Sequence, residues 1–394
     1  MLDKRKAKAY NKSMEQRIYF DHAATTPLEK QVLEEMLPYL TDTFGNADSP
    51  HAFGRKAMSA VDRARDTIAE LIGAKPNEIY FTSGGTESDN WALIGGARAK
   101  RKEGKTRVVL SAIEHHALLF SAEQLEKEGF EVVYLPVNEK GEVEENFLIQ
   151  AITENTAIVA LMYVNNETGV IQPVQKAREL AHKNGALFFT DAVQAAPYLP
   201  LNVKDLGVDM LSFSGHKFYG PKGTGVLYIK NGTRVEKFVG GGEQERGMRG
   251  GTLNVAGIVG LAKAYEIAVK DMQENNAKLQ RLSNLFLEKV MEIAGVEING
   301  SRENAIPSVL NINLGVENTA FLYTMDLRGV ALSAGSACAS ASVKPSHVLT
   351  AMGLDEKRAG QSVRFSFGKN NTEAEILRCV EWMKEIISSL KMQG

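Results

Sequence analysis

Cysteine is scarce: Cys338 and Cys379 are the only two in 394 residues. That excludes a fold stapled by disulfides and fits a reducing compartment. Long apolar runs are missing as well, so no stretch reaches the length of a membrane span. Residues Met1 to Arg17 are charged and lack the apolar core of a secretory signal; they read as a leader, with Met14 a candidate natural start. Charge of one sign is not in surplus either. Lys and Arg number 46 against 48 Asp and Glu, a net charge of -2, which gives no electrostatic case for nucleic acid or an anionic membrane. No Cys-x-x-Cys or His-Glu-x-x-His spacing suggests a metal site. What is left, 44% hydrophobic and 24% charged residues, is the composition of an ordinary globular chain, expected in the cytoplasm and long enough for one or two domains.

The chain alternates strand and helix. Short apolar runs such as Val108-Val109-Leu110, Ala157 to Val164 and Ala186 to Phe189 are followed by amphipathic stretches near 117–129, 144–152 and 174–184. Near-continuous apolar strands alternating with helices predict an α/β fold with a mainly parallel sheet. A helical region from about 254 to 294 then leads to a smaller α+β portion. The expected division is a leader at 1–17, a large domain at 18–265 and a small one at 266–394, with the first residues of the large domain free to pack with the small one.

Ligands of such sheets bind beyond the carboxyl ends of the strands. Five polar groups fall there: the Gly84-Gly85-Thr86 turn, His115, Asn166, Asp191 with Gln194, and Ser214 with His216 and Lys217. Lys217 follows the strand-like Val208 to Leu211 and precedes the loop Phe218-Tyr219-Gly220-Pro221. A lysine desolvated at such a place becomes a usable nucleophile. Pyridoxal phosphate needs a lysine for its aldehyde, a carboxylate for its ring nitrogen and a cradle for its phosphate. Lys217 offers the first and Asp191 the second. The backbone at Gly85 and Thr86, with Ser214 and His216, offers the third. His115 suits the ring face or proton transfer, and Gln194 the phenolic oxygen.

Seven ordered segments carry a resemblance: 21–27, 82–90, 164–170, 191–194, 212–225, 246–252 and 335–342. Together they resemble the cysteine desulfurases of the NifS/IscS type, in class V of the pyridoxal-phosphate aminotransferase superfamily. The resemblance implies the fold-type I architecture, a homodimer in which Thr252 reaches the phosphate of the neighbouring subunit's cofactor, and Arg364 with Asn166 as the clamp for a substrate carboxylate. Glu243 and Ala47-Asp48 depart from the family's usual residues, away from those positions.

Cys338 lies in Gly335-Ser336-Ala337-Cys338-Ala339-Ser340-Ala341-Ser342. Small residues cannot anchor a core, so this loop is expected to be exposed and mobile. Cys379 shares a helical stripe with Ile376, Val380, Met383 and Ile387 and is expected in the core. The implied reaction turns L-cysteine into L-alanine, leaving a persulfide on Cys338 for sulfur acceptors such as an iron–sulfur scaffold. The long loop resembles the group that serves several acceptors. A selenocysteine lyase or another class V enzyme is the alternative.

Overall fold

The computed structural model describes residues 17–335 and 345–393. In chain order its strands are β1 (Ile18–Tyr19), β2 (Ile79–Thr82), β3 (Arg107–Ser111), β4 (Glu131–Leu135), β5 (Thr156–Ala160) and β6 (Leu187–Asp191). They continue with β7 (Met210–Ser214), β8 (Gly225–Ile229), β9 (Glu297–Asn299), β10 (Val309–Asn313), β11 (Val330–Ala331) and β12 (Ser362–Ser366).

The larger of two compact units comprises Thr25–Asn165 and Val170–Gln273. Its seven-stranded sheet has the order β2-β8-β7-β6-β5-β3-β4. The pairs from β7 through β6, β5 and β3 to β4 are parallel, while β8 is antiparallel to both its neighbours. Central strands buried on both faces need apolar side chains throughout, and Ile158, Val159, Phe188 and Phe189 are all fully buried. Trp91, Leu93, Leu118 and Leu125 pack on Val108, Leu110, Ile158 and Phe189 to form the core.

Two strand boundaries differ from the sequence reading, each for a physical reason. β7 extends to Ser214 because Ser212 and Ser214, though polar, are buried strand residues. The helix after the glycine turn starts at Gly85 and runs through a π turn at Trp91–Gly95 to Arg101. β5 stops at Ala160, since the chain then turns to bridge Val164 with Ile171. The region expected as helical from about 254 to 294 is a single helix, Val255–Val290.

The smaller unit holds the described residues of 1–24, 166–169 and 274–394. Its antiparallel sheet has the order β12-β10-β9, and β1 pairs in parallel with β11. Phe286 packs its ring against Phe365 and Phe367, with centroids 4.7 and 5.5 Å away. Ile376, Cys379, Val380, Met383 and Ile387 are buried along the helix Glu373–Gln393. Burial also pushes the Cys379 thiol well above its usual range, so it stays protonated and inert.

Candidate active site

Lys217 closes a single 3-10 turn, Gly215–Lys217, directly after β7. Two upstream threonines hold that turn. The Thr26 N–H and hydroxyl donate to the His216 carbonyl at 3.0 and 2.9 Å, and Tyr219 N–H donates to the Thr26 hydroxyl at 2.7 Å. Tyr219 adopts a left-handed φ of 65°, a strained geometry that these bonds stabilise. The lysine is half-buried at the end of a rigid strand rather than swinging on a surface loop.

Asp191 ends β6, level with Ser212 of β7. One carboxylate oxygen accepts the Val193 N–H at 2.8 Å. Burial raises its carboxyl to about 6, against the opposing pull of that hydrogen bond and of Lys217. Gln194 is buried in the following turn. His115 caps the helix His116–Lys127: its Nδ1 accepts the Ala117 N–H at 3.2 Å, so in the neutral ring the proton sits on Nε2.

The glycine turn after β2 makes a cradle. Gly84 has a φ of 154°, which favours glycine, and a Cβ on Gly85 would lie 2.8 Å from Val193 Cγ2. The helix Gly85–Asn90 points its first N–H groups into a cavity of about 360 Å³. Thr25, Thr86, Ser214, His216 and Lys222 also line that cavity. His216 Nδ1 lies 3.2 Å from the Thr25 hydroxyl. Burial, with Lys217 and Lys222 beside it, lowers the His216 imidazole to about 3, so it is neutral near pH 7. Backbone N–H groups, hydroxyls, one imidazole and a lysine are the donor set a phosphate dianion requires. With Lys217 and Asp191 in the same unit, these residues fit pyridoxal phosphate.

Thr252 is exposed on the glycine-rich loop 240–252, which two guanidinium–carboxylate pairs tie down. Arg65 makes a bidentate pair with Glu245 at 2.7 and 2.9 Å, and the Phe81 N–H donates to the same carboxylate at 3.0 Å. Arg249 grips Glu87 at 2.8 and 3.1 Å. Glu245 and Arg246 hold left-handed φ angles of 46° and 58°.

Asn166 and Arg364 belong to the smaller unit. Arg364, on β12, is 1% exposed; it donates to the Asn166 carbonyl at 3.0 Å and to Asp21 Oδ1 at 2.8 Å. Its Nε has no hydrogen-bond partner among the described residues, leaving a donor for a carboxylate. Cys338 lies outside the described residues. Both described flanks of that segment meet Glu167: the Ser346 hydroxyl donates to its carboxylate at 2.5 Å, and a Cβ on Gly335 would lie 2.8 Å from the same oxygen.

Thr25, Thr26 and Lys222 were not singled out from sequence. Their signal was proximity in chain to recognised segments, since 21–27 and 212–225 contain all three. Arg65 and Glu245, some 180 residues apart, left no signal at all.

The chain belongs to the class V aminotransferase family, whose description matches residues 18–379. Enzymes of this family depend on pyridoxal phosphate, and that is the cofactor of this chain. The chain is 45% identical over 378 residues to the cysteine desulfurase IscS of Clostridium botulinum, covering 95% of each. It is 45% identical over 379 residues to a putative cysteine desulfurase IscS 1 of Bacillus subtilis, covering 95% of this chain and all of that one. Among solved structures, a NifS-like protein superposes with a TM-score of 0.90 at 36% identity, over 95% of this chain and 100% of the other. SspA in complex with cysteine superposes with a TM-score of 0.79 at 37% identity, over 90% and 100%.

Proposed function

We propose that the chain works as a cysteine desulfurase through Lys217, His115 and Cys338. The activity converts L-cysteine to L-alanine and moves its sulfur to an enzyme cysteine, supplying iron–sulfur cluster assembly and related sulfur-transfer pathways. Pyridoxal phosphate, when bound, supplies an aldehyde for amino groups and a ring that accepts the electron pair left by a departing α-proton. The chain's own residues do the rest. The Lys217 Nζ takes the α-proton and delivers it again. Asp191 holds the ring nitrogen and Gln194 the phenolic oxygen. Gly85, Thr86, Ser214 and His216 hold the phosphate. Arg364, with Asn166, takes the substrate carboxylate. His115 moves a proton at its Nε2.

The Cys338 thiolate attacks the substrate sulfur. A sulfur–sulfur bond forms as the carbon–sulfur bond breaks, its electron pair leaves with carbon, and protonation gives alanine. The single observation that supports this reading most is that Asp191 ends β6 and Lys217 follows β7, the strand paired with it, in one unit with the cradle lined by Gly85, Thr86, Ser214 and His216.

A homodimer completes the reading. Thr252 is exposed on a loop that two ion pairs hold in place, and a second copy gives its hydroxyl a phosphate to bind. Leu33, Leu37, Leu40, Phe44 and Phe53 of the same unit are exposed, an apolar surface that a partner would cover. The sulfur then passes to acceptor proteins. No described helix is long and apolar enough to cross a membrane, and the two cysteines suit a cytoplasmic enzyme.

The test compares Cys338→Ala with Cys379→Ser. Alanine release and persulfide labelling should vanish together in the first. The second should keep both and lose about 1–3 kcal/mol of stability from a hydroxyl in a packed core. Alanine production by Cys338→Ala at the wild-type rate would refute the assignment.

A further inference from the structure

Three carboxyl groups are buried at one end of the larger unit's sheet: Asp89 at 1% exposure, Glu114 at 0% and Asp191 at 6%. Asp191 sits between two neighbouring segments, and each brings one of the other two. On one side Ser212 is level with Asp191, and its hydroxyl donates to Asp89 Oδ1 at 2.6 Å. On the other, Tyr163 N–H donates to the Asp191 carbonyl at 2.8 Å, and the preceding N–H, of Met162, donates to Glu114 Oε1 at 2.8 Å.

Asp191 raises both of the other carboxyls and Glu114 also raises Asp89, while the charge of Lys217 lowers Asp191. The His115 ring follows Glu114 in the chain. One ammonium cannot balance three carboxylates in a site this dry, and like charges so close do not all ionise.

We propose that Asp89 and Glu114 are positioning residues held as neutral acids, so that Asp191 alone of the three carries charge. The consequence for the cofactor rests on reading Asp191 as the partner of the ring nitrogen. Which group ionises follows from the surroundings. Asp191 has Lys217 and the Val193 N–H on its side, whereas burial and the neighbouring carboxyls hold Asp89 and Glu114 well above the usual carboxylate range. An apolar residue at either place would strand the Ser212 hydroxyl or the Met162 N–H. An ionised one would drive Asp191 toward its own neutral form and weaken its hold on a ring cation.

Infrared spectroscopy of the cofactor-free protein at pH 7 tests this. The wild type should show the carbonyl stretch of protonated carboxylic acids, and Asp89→Asn and Glu114→Gln should each remove one component. Absence of that stretch from the wild type overturns the proposal, whether or not the variants fold. A band unchanged in both variants does the same. Proton linkage is the second readout. Each retained proton lowers the folding equilibrium constant about tenfold per pH unit above the carboxylate range, and each amide variant should lose one such factor.

In the loaded enzyme the amides mimic neutral acids, so the pH midpoint of the cofactor's absorbance should stay where the wild type has it. A displaced midpoint would mean that the native residue is charged, and would overturn the proposal. Asp191→Asn separates the two readings. Infrared bands as expected, with a cofactor spectrum indifferent to Asp191→Asn, support the neutral acids and remove the ring-nitrogen assignment.

Discussion

Two regions of the larger unit bury carboxyl groups, and they answer the cost in opposite ways. Glu245 receives both arms of the Arg65 guanidinium and the Phe81 N–H, so its charge is cancelled within the protein. Asp191 receives one N–H and the more distant pull of Lys217, with two further carboxyls nearby. A satisfied pair fixes backbone: it holds the left-handed Glu245 and Arg246 and ties the loop bearing Thr252 to β2, the strand that runs into the cradle. A carboxyl that meets one N–H and no paired guanidinium can take a cation from outside. The same chemical group is structural in one place and, in the function proposed above, the partner of a cofactor in the other, because of what surrounds it.

The largest expected effect comes from removing the cation that Asp191 does have. Lys217→Ala should lower alanine production by at least about 10²–10⁴-fold, the range a positioned proton-transfer group supplies. It should also retain cofactor loosely, measured as absorbance surviving gel filtration. Full activity in this variant would end the functional reading of the Asp191 region. The structural region breaks differently. Arg65→Ala leaves Glu245 buried without its guanidinium, which should cost about 3–5 kcal/mol in denaturant unfolding. A loss below about 1 kcal/mol would mean that solvent reaches Glu245 and that the two regions differ less than their geometry says.

Much of this contrast was legible in the sequence, but unevenly. Asp191, Lys217 and the Gly84-Gly85-Thr86 turn sit at strand ends, and strands announce themselves by apolar runs, so their convergence followed from the βα order alone. Asp89 and Glu114 were hidden because each sits next to something more conspicuous, the glycine turn and His115. Nothing in a linear pattern tells a buried acid from a helix-surface one. The Arg65–Glu245 pair was hidden by its sequence separation, and the strand character of Ser212 and Ser214 by their polarity.

The next effect concerns pH. In the folded chain the Asp191 carboxyl is raised from 3.8 to about 6, so the folded state keeps its proton over a range where the unfolded chain has lost it. This contribution to stability is fully present below about pH 4 and is lost as pH rises through about 6. At about 1.36 kcal/mol per pH unit the loss approaches ~3 kcal/mol in the cofactor-free protein. Asp191→Asn should flatten that part of the profile, measured as denaturant midpoints from pH 4 to 7. Glu245→Gln should leave it in place, since it removes no group that acts on the Asp191 carboxyl. A profile flattened equally by both would erase the distinction between the two regions.

The smallest effect sharpens the contrast at the cradle, where shape rather than charge is at stake. A Cβ at Gly85 would lie 2.8 Å from Val193 Cγ2, and Val193 is the residue whose N–H holds Asp191. Gly85→Ala must therefore displace either the first turn of the helix Gly85–Asn90 or the Val193 side chain. Overpacking of this kind costs about 1–3 kcal/mol. If the helix moves, its N–H groups turn from the cavity and phosphate binding weakens, while the Asp191 midpoint near pH 6 stays put. If the Val193 backbone shifts with its side chain, its N–H leaves Asp191, and that midpoint rises because the hydrogen bond had been lowering it. Isothermal titration with inorganic phosphate and the pH profile of the cofactor-free variant distinguish the two. Helix Gly85–Asn90 is packed beneath by buried Ser88 and Asp89, whereas Val193 lies in a turn, so the second outcome is the one expected: phosphate affinity within about twofold of wild type and a raised Asp191 midpoint. Loss of phosphate binding with an unmoved midpoint would show instead that the glycine turn yields first.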